Sequence, residues 1–283
     1  MTKVPTLVKW VGGKKQLLSQ FESLFPKKFN NYFEPFAGGG AVAFYLIKTR
    51  NPKKVFLSDI NAELIDAYNI VKNNPEKLIK LLEQYKENHN KENYYDVRAK
   101  DPKLLSELER AARFIYLNKT CFNGLYRVNL KGGFNVPMGN YKNPAIANNK
   151  DLTEIASLLK NVQVEIKQFH EGVETAEEGD FVYFDPPYYP LNRTSNFTSY
   201  NKDSFLEKEQ IKLFETFRKL DKKRVKVMLS NSDTDFIKNL YKDYNQTFVQ
   251  ARRMINSNAK KRGAINELVV TNYPISVQAN LKL

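Results

Sequence analysis

The sequence predicts an α/β protein, a largely parallel sheet with helices on both faces, into which a mostly helical second lobe is inserted. Three observations carry that expectation. Short apolar runs suited to strands recur along the chain, helix-like segments alternate with several of them, and the interval 75–149 breaks the rhythm.

The first strand is expected at 32–36, where Tyr32 to Phe36 precede three glycines, and a helix over 41–48 follows. A second strand at 55–58 leads into a helix over 62–72 with Asn61 as its cap. Within 75–149, helices over 76–86 and 104–119 precede a Gly/Asn-rich segment. Strand character returns at 162–166, 181–184, 225–229, 247–249 and 268–271. A helix over 207–220 places Ile211, Leu213, Phe214 and Phe217 on overlapping turns. Residues 1–74 and 150–283 are therefore expected to form one domain, with 75–149 as the inserted lobe.

With 283 residues the chain can bury a sizeable core without staples. Hydrophobic residues at 42% beside 27% charged give a folded composition, not a disordered one. The lone Cys121 excludes a disulfide framework and a cysteine zinc site. With only His89 and His170, no metal centre is expected either. No apolar run approaches the ~20 residues of a membrane span, and the N-terminus lacks a secretion signal, so a cytoplasmic protein without membrane partners is expected.

Forty-five basic against 31 acidic residues give a net charge of +14, and the excess is local. Residues 1–21 hold four lysines and no acid, residues 110–150 seven basic groups and no acid, and residues 244–266 five and none. Trp10, Phe122, Asn123, Tyr126, Asn256 and Asn258 are interleaved with these charges. Such stretches suit a polyanion, where Lys and Arg meet phosphates and the other side chains reach bases.

Two motifs carry the chemistry. Phe36-Ala37-Gly38-Gly39-Gly40 ends a strand and opens a helix, where glycines let a ligand approach the backbone. Asp59 follows nineteen residues after Gly40 at the next strand end, the place where dinucleotide folds keep the acid that binds ribose hydroxyls. The run does not spell the pyrophosphate fingerprint, which favours a nucleoside cofactor without one, such as S-adenosylmethionine (AdoMet). The second motif is Asp185-Pro186-Pro187-Tyr188, directly after the apolar run 181–184. Prolines donate no backbone hydrogen bond, so the strand stops and the Asp185 carboxylate and a proline carbonyl face a site. Those two acceptors suit the hydrogens of an exocyclic amine, and Tyr188 offers a ring for a base to stack on.

With these motifs the chain resembles the Dam-type DNA adenine-N6 methyltransferases, the enzymes that modify GATC sites. The resemblance runs from Leu7 to about Tyr273. It also includes Lys9-Trp10-Val11-Gly12-Gly13-Lys14, Phe122-Asn123-Gly124-Leu125-Tyr126-Arg127-Val128-Asn129, Phe134-Asn135-Val136-Pro137, Leu229-Ser230-Asn231-Ser232 and the Asn256-Ser257-Asn258 loop. It implies a Rossmann-like AdoMet-dependent methyltransferase sheet with a target-recognition lobe. It further implies that Trp10, Lys14, Phe36, Asp59 and Asp185 line the AdoMet pocket beside Gly38 and Gly40, that Asp185, Pro186 and Tyr188 hold a flipped adenine, and that Lys9 reads the first guanine. Arg127 with Leu125 and Pro137 supplies the mixed polar and apolar contacts a GATC reader needs. Phe122 beside Asn123 is placed to wedge into the gap left by the flipped base, while Arg252, Lys260 and Arg262 meet phosphates.

The expected partner is double-stranded DNA, treated by a monomer at the nucleoid, and the resemblance leaves open a cognate restriction endonuclease. Two other readings stand beside this one. Methylation of cytosine N4 or of a glutamine amide would usually put Ser or Asn at Asp185, and a silent DNA-binding descendant would have no need of intact Asp185, Tyr188 and Asp59. Cys121 has no catalytic context and is expected to be a packed residue.

Overall fold

The computed structural model describes residues 2–129, 132–191, 205–252 and 264–275. Among these residues seven strands form one sheet: β1 (Tyr32–Glu34), β2 (Val55–Asp59), β3 (Val162–Ile166), β4 (Phe181–Phe184), β5 (Lys226–Ser232), β6 (Asn245–Arg252) and β7 (Ala264–Thr271). Their order is β3-β2-β1-β4-β5-β7-β6. The expected parallel pairing holds through β1–β5, whereas β7 is antiparallel to both β5 and β6. The result is a Rossmann-like mixed sheet.

Alternation along each strand sorts the apolar residues onto two faces. Tyr32, Phe181, Tyr183, Met228 and Val269 join one core, together with α1 (Leu18–Phe21), α2 (Ala41–Arg50) and α3 (Ala62–Asn73). Phe33, Val182, Phe184, Val227, Leu229 and Val270 join the other, under α8 (Glu207–Lys222) and α9 (Asp235–Leu240). Helices thus cover both faces, as expected.

The interval 75–149 contains α4 (Pro75–Glu87), α5 (Lys91–Ala99) and α6 (Glu107–Thr120), and α7 (Asn149–Leu159) follows it. Its core is continuous with that of the sheet, because Leu78, Tyr94, Val97 and Ile115 belong to the same apolar cluster as Tyr32 and Val55. Helices α1, α5, α7 and α9 were not expected from the sequence. At α7 the cause is chemical: the Asn-rich run read as loop contains the cap itself, Asn148, whose side chain accepts from the Asp151 N–H.

The fold also fixes where a ligand can reach the sheet. From β1 the chain proceeds outward to β2 and β3, then returns to place β4 on the other flank of β1. In open α/β sheets, ligands bind outside the carboxyl ends of the strands at such a reversal. The two loops that begin there are the Gly-rich turn after β1 and Asp185–Tyr188 after β4.

Candidate active site

Asp185 stands one residue beyond β4, and Lys14 reaches it from a 3-10 turn, Lys14–Leu17. Lys14 Nζ lies 2.7 Å from Asp185 Oδ1, with the lysine 3% exposed and the aspartate 19%. The same ammonium donates to the Gly12 carbonyl and sits 4.9 Å from the centre of the Tyr188 ring. Tyr188 Oη in turn donates to Glu267 Oε2 at 2.6 Å. Lysine, carboxylate and ring therefore form one partly buried cluster around the buried Lys14, with Glu267 of β7 behind it.

Burial pushes the Asp185 carboxyl up to about 6, Lys14 opposes that rise, and the negative Glu267 adds to it. The Tyr188 phenol is held well above its ordinary range, first by burial and then by the charges of Asp185 and Glu267. Glu34 lies close by at the end of β1. It shares a face with Tyr32, whose hydroxyl donates to Glu34 Oε2 at 2.7 Å. Burial pushes Glu34 up to about 8 against the pull of that hydrogen bond. That rise favours the neutral form of Glu34 and so lessens the negative charge facing Asp185.

The turn after Asp185 is clamped by side chains from β5 and α8. Asn231 Oδ1 accepts from the Tyr189 N–H at 3.2 Å, and Ser232 Oγ donates to the Tyr189 carbonyl at 2.7 Å. Asn231 Nδ2 donates to Gln210 Oε1, and Gln210 Nε2 to the Pro187 carbonyl, both at 3.0 Å. The Pro187 carbonyl is thus engaged, whereas no donor among the described residues reaches the Pro186 carbonyl. Gln210 and Glu267 were not singled out from the sequence. Only topology brings them here, since β7 is inserted beside β5.

On the other side of the crevice, Asp59 ends β2. Its Oδ1 accepts from the Asn61 N–H at 3.0 Å and its Oδ2 from the Gly38 N–H at 3.3 Å. Burial raises its carboxyl against these two bonds. The glycines have a different use from the one the sequence suggested. A Cβ on Gly38 would fall 2.7 Å from Trp10 Cδ1, one on Gly39 3.0 Å from the Val8 carbonyl, and one on Gly40 2.5 Å from Tyr68 Oη. The space belongs to the protein's own N-terminal segment and to α3. Gly38 and Gly40 also have φ of +47° and +74°, which side chains rarely adopt. Trp10, brought there, stacks on Tyr126 with centroids 5.9 Å apart. Phe36 packs on Phe169 and Phe205, each at 5.6 Å, giving the crevice an aromatic wall.

Lys9 is tied to the end of α6. Its N–H donates to Asn118 Oδ1 and its carbonyl accepts from Asn118 Nδ2, both at 2.8 Å. Its Nζ lies 4.4 Å above the Tyr141 ring. Beside it Gly124 has no room for a side chain, a Cβ falling 2.6 Å from Lys9. Lys9 and the Phe122–Gly124 turn therefore form one surface. Phe122 is 51% exposed there, next to Asn123 in the left-handed region, and its N–H donates to the Pro137 carbonyl. Arg127 is exposed and its Nε donates to Asn135 Oδ1 at 2.8 Å. Leu125 is partly buried against the core.

Two arginines of the middle basic stretch are engaged within the fold, contrary to the expected phosphate role. Arg113 is 1% exposed, donates to the Val97 and Arg98 carbonyls and pairs with Glu63, while Arg110 pairs with Asp66 at 2.6 Å. These two arginines dock α6 on α3 and are not available to phosphates. Helical periodicity could not have found them, because both lie on the side of α6 opposite Leu108, Ala112 and Ile115. Cys121 is buried and its thiol is pushed up to about 11, first by burial, in keeping with a packed residue. Among the described residues no cluster could hold a metal ion, and no helix is long and apolar enough to cross a membrane. The side chain of Arg252, with Lys260, Arg262 and the Asn256–Asn258 loop, lies outside the described residues.

Residues 10–255 match the family model of the D12 class N6 adenine-specific DNA methyltransferases. The chain belongs to that family. It is 46% identical to the type II methyltransferase M1.LlaDCHI of Lactococcus lactis subsp. cremoris, covering 94% of each chain. It is 47% identical to the type II methyltransferase M.MjaIII of Methanocaldococcus jannaschii, over 96% of this chain and all of that one. Against the DNA adenine methylase of Escherichia coli K12 the identity is 34%, over 97% of each. The D12 methyltransferase thus carries its acid, its clamped turn and its aromatic wall along the carboxyl edge of one sheet.

Proposed function

We propose that this adenine methyltransferase takes its methyl group from AdoMet and acts on duplex GATC as a monomer, on a base extruded toward Asp185 and Tyr188. The observation that carries the reading is the place of the Lys14 ammonium, against Asp185 Oδ1 and over the Tyr188 ring. Adenine's amine nitrogen becomes positively charged as it is methylated. A carboxylate and a ring face that hold one cationic nitrogen are suited to another.

When bound, AdoMet supplies an electrophilic methyl group on a sulfonium. The residues along the crevice fit such a group: Asp59 offers a carboxylate fixed by two N–H groups, and Phe36 and Trp10 offer aromatic faces. Asp185 and the Pro186 carbonyl accept the two amine hydrogens, which turns the nitrogen lone pair toward the methyl carbon. Methyl transfer would leave that nitrogen cationic, and one of its two hydrogens would then pass as a proton to solvent by way of the Asp185 carboxylate, giving the neutral N6-methyl base. Tyr188 holds the base by stacking, and its bond to Glu267 keeps the ring in place.

Target reading is assigned to residues 75–149 together with Lys9. Lys9 and Arg127 stand on the surface that includes exposed Phe122 and the Pro137 turn, which supports a division of labour between two base pairs. Arg252, Lys260 and Arg262 are assigned to phosphates. The names of two relatives, as type II methyltransferases, support a setting with a cognate restriction endonuclease.

The test is methyl transfer to duplexes in which one base pair of GATC is changed at a time. The wild type should prefer GATC, and Lys9→Ala and Arg127→Ala should each relax discrimination at a different base pair, by about ten- to a hundredfold. A preferred site other than GATC would overturn the assignment of the target, and unchanged ratios in both variants would overturn the assignment of the readers.

A further inference from the structure

The opposite edge of the sheet carries positive charge that no linear stretch of sequence displays. Lys27 and Lys28 precede β1, Lys53 and Lys54 precede β2, and Lys226 begins β5. The pairing brings them together: the Lys53 N–H donates to the Asn30 carbonyl and the Tyr32 N–H to the Lys54 carbonyl, while Lys226 Nζ donates to the Lys28 carbonyl. Lys27, Lys28, Arg50 and Lys226 line a cleft of about 410 Å³ there, floored by Asn30 and Gly179.

Of the neighbouring acids only Glu177 is exposed with its carboxylate in no ion pair among the described residues. Glu22 pairs with Arg50, Glu178 with Arg224, and Asp180 accepts from the Asn31 and Glu177 N–H groups. Lys27, Lys28, Lys53 and Lys54 are exposed, and among the described residues no carboxylate pairs with any of them. From β2 across β1 and β4 to β5 the edge is three strand spacings wide, about 14 Å. One DNA strand presents about four phosphates over that distance along the helix axis. The full length of the strands, about 13 Å or more, separates this edge from Asp185.

We propose that this amino edge is a second, sequence-independent binding surface for a phosphodiester backbone, taking a duplex other than the one held at Asp185. An enzyme docked on DNA through this edge still presents Asp185 and the Lys9 surface to another duplex.

The experiment compares the full chain with a variant in which Lys27, Lys28, Lys53 and Lys54 are all changed to Gln. Sedimentation with a short GATC duplex at low salt should show two duplexes per wild-type chain and one per variant. The weaker binding should lose more than tenfold, with the slope of log K against log salt shallower by about 3 to 4 for that class. Single-turnover transfer at saturating DNA should be equal in the two proteins. Arg127→Ala, altered on the other surface, should keep the weaker class. A single duplex on the wild type, or two on the variant, would overturn the proposal. So would tripolyphosphate alone filling the edge while no second duplex binds, which would make the cleft a small-anion site.

Discussion

Changing Asp185 to alanine is expected to reduce single-turnover methyl transfer by about a hundred- to a thousandfold, with DNA affinity within a few-fold of wild type. The groups assigned to phosphates under the proposed function lie elsewhere in the sequence, so binding is expected to survive. The interaction removed is one that strengthens as the amine gains charge, and its loss falls on the chemical step. Alanine also leaves Lys14, 3% exposed, without its carboxylate, and an uncompensated buried charge costs about 3–5 kcal/mol. Asp185→Asn keeps an acceptor oxygen without the charge, and should lose less transfer. Thermal unfolding of both variants separates lost chemistry from lost folding. Near-wild-type turnover in a folded Asp185→Ala protein would remove the aspartate from the mechanism.

The second large effect is expected at Tyr188. Its ring faces the Asp185 cluster, its phenol is fixed on Glu267, and its neighbour Tyr189 is clamped by Asn231 and Ser232. Extruding a base from the stack costs a few kcal/mol, and stacking on an aromatic ring returns about 1–3 of these. Tyr188→Ala should therefore lose transfer by about ten- to a hundredfold. A target adenine placed opposite an abasic position, which flips at little cost, should recover much of that loss. Tyr188→Phe keeps the ring and breaks only the bond to Glu267, so it should remain close to wild type. Equal losses in the two variants, or no recovery with the unpaired target, would assign Tyr188 to packing instead of stacking.

Much of this site was legible in the sequence because it is written in contiguous residues. The Gly-rich turn and Asp185–Tyr188 each follow an apolar run, and strand–helix alternation is enough to put both at one sheet edge. What escaped the sequence depends on pairings between distant segments. Glu267 reaches Tyr188 only because β7 inserts antiparallel beside β5, and Gln210 reaches Pro187 only because α8 packs under that edge. Charge misled in a related way. Arg110 and Arg113 stand in an acid-free stretch, yet their acids, Asp66 and Glu63, come from α3. Conversely, Lys27, Lys28, Lys53 and Lys54 converge at the amino edge from segments whose charge nearly cancels along the chain.

Transfer is expected to depend on an ionised Asp185 whose charge is set between Lys14 and Glu267. The pH dependence of kcat/KM, which reports groups of the free enzyme, tests it most directly. Wild type should lose activity as pH falls through about 6, where burial has placed the Asp185 carboxyl. Lys14→Met removes the cation that favours the carboxylate and should move that limb to higher pH. Glu267→Gln removes the negative charge that opposes it and should move the limb to lower pH. Opposite displacements in the two variants are the predicted result; an acidic limb that stays in place in both, or moves the same way in both, would contradict it.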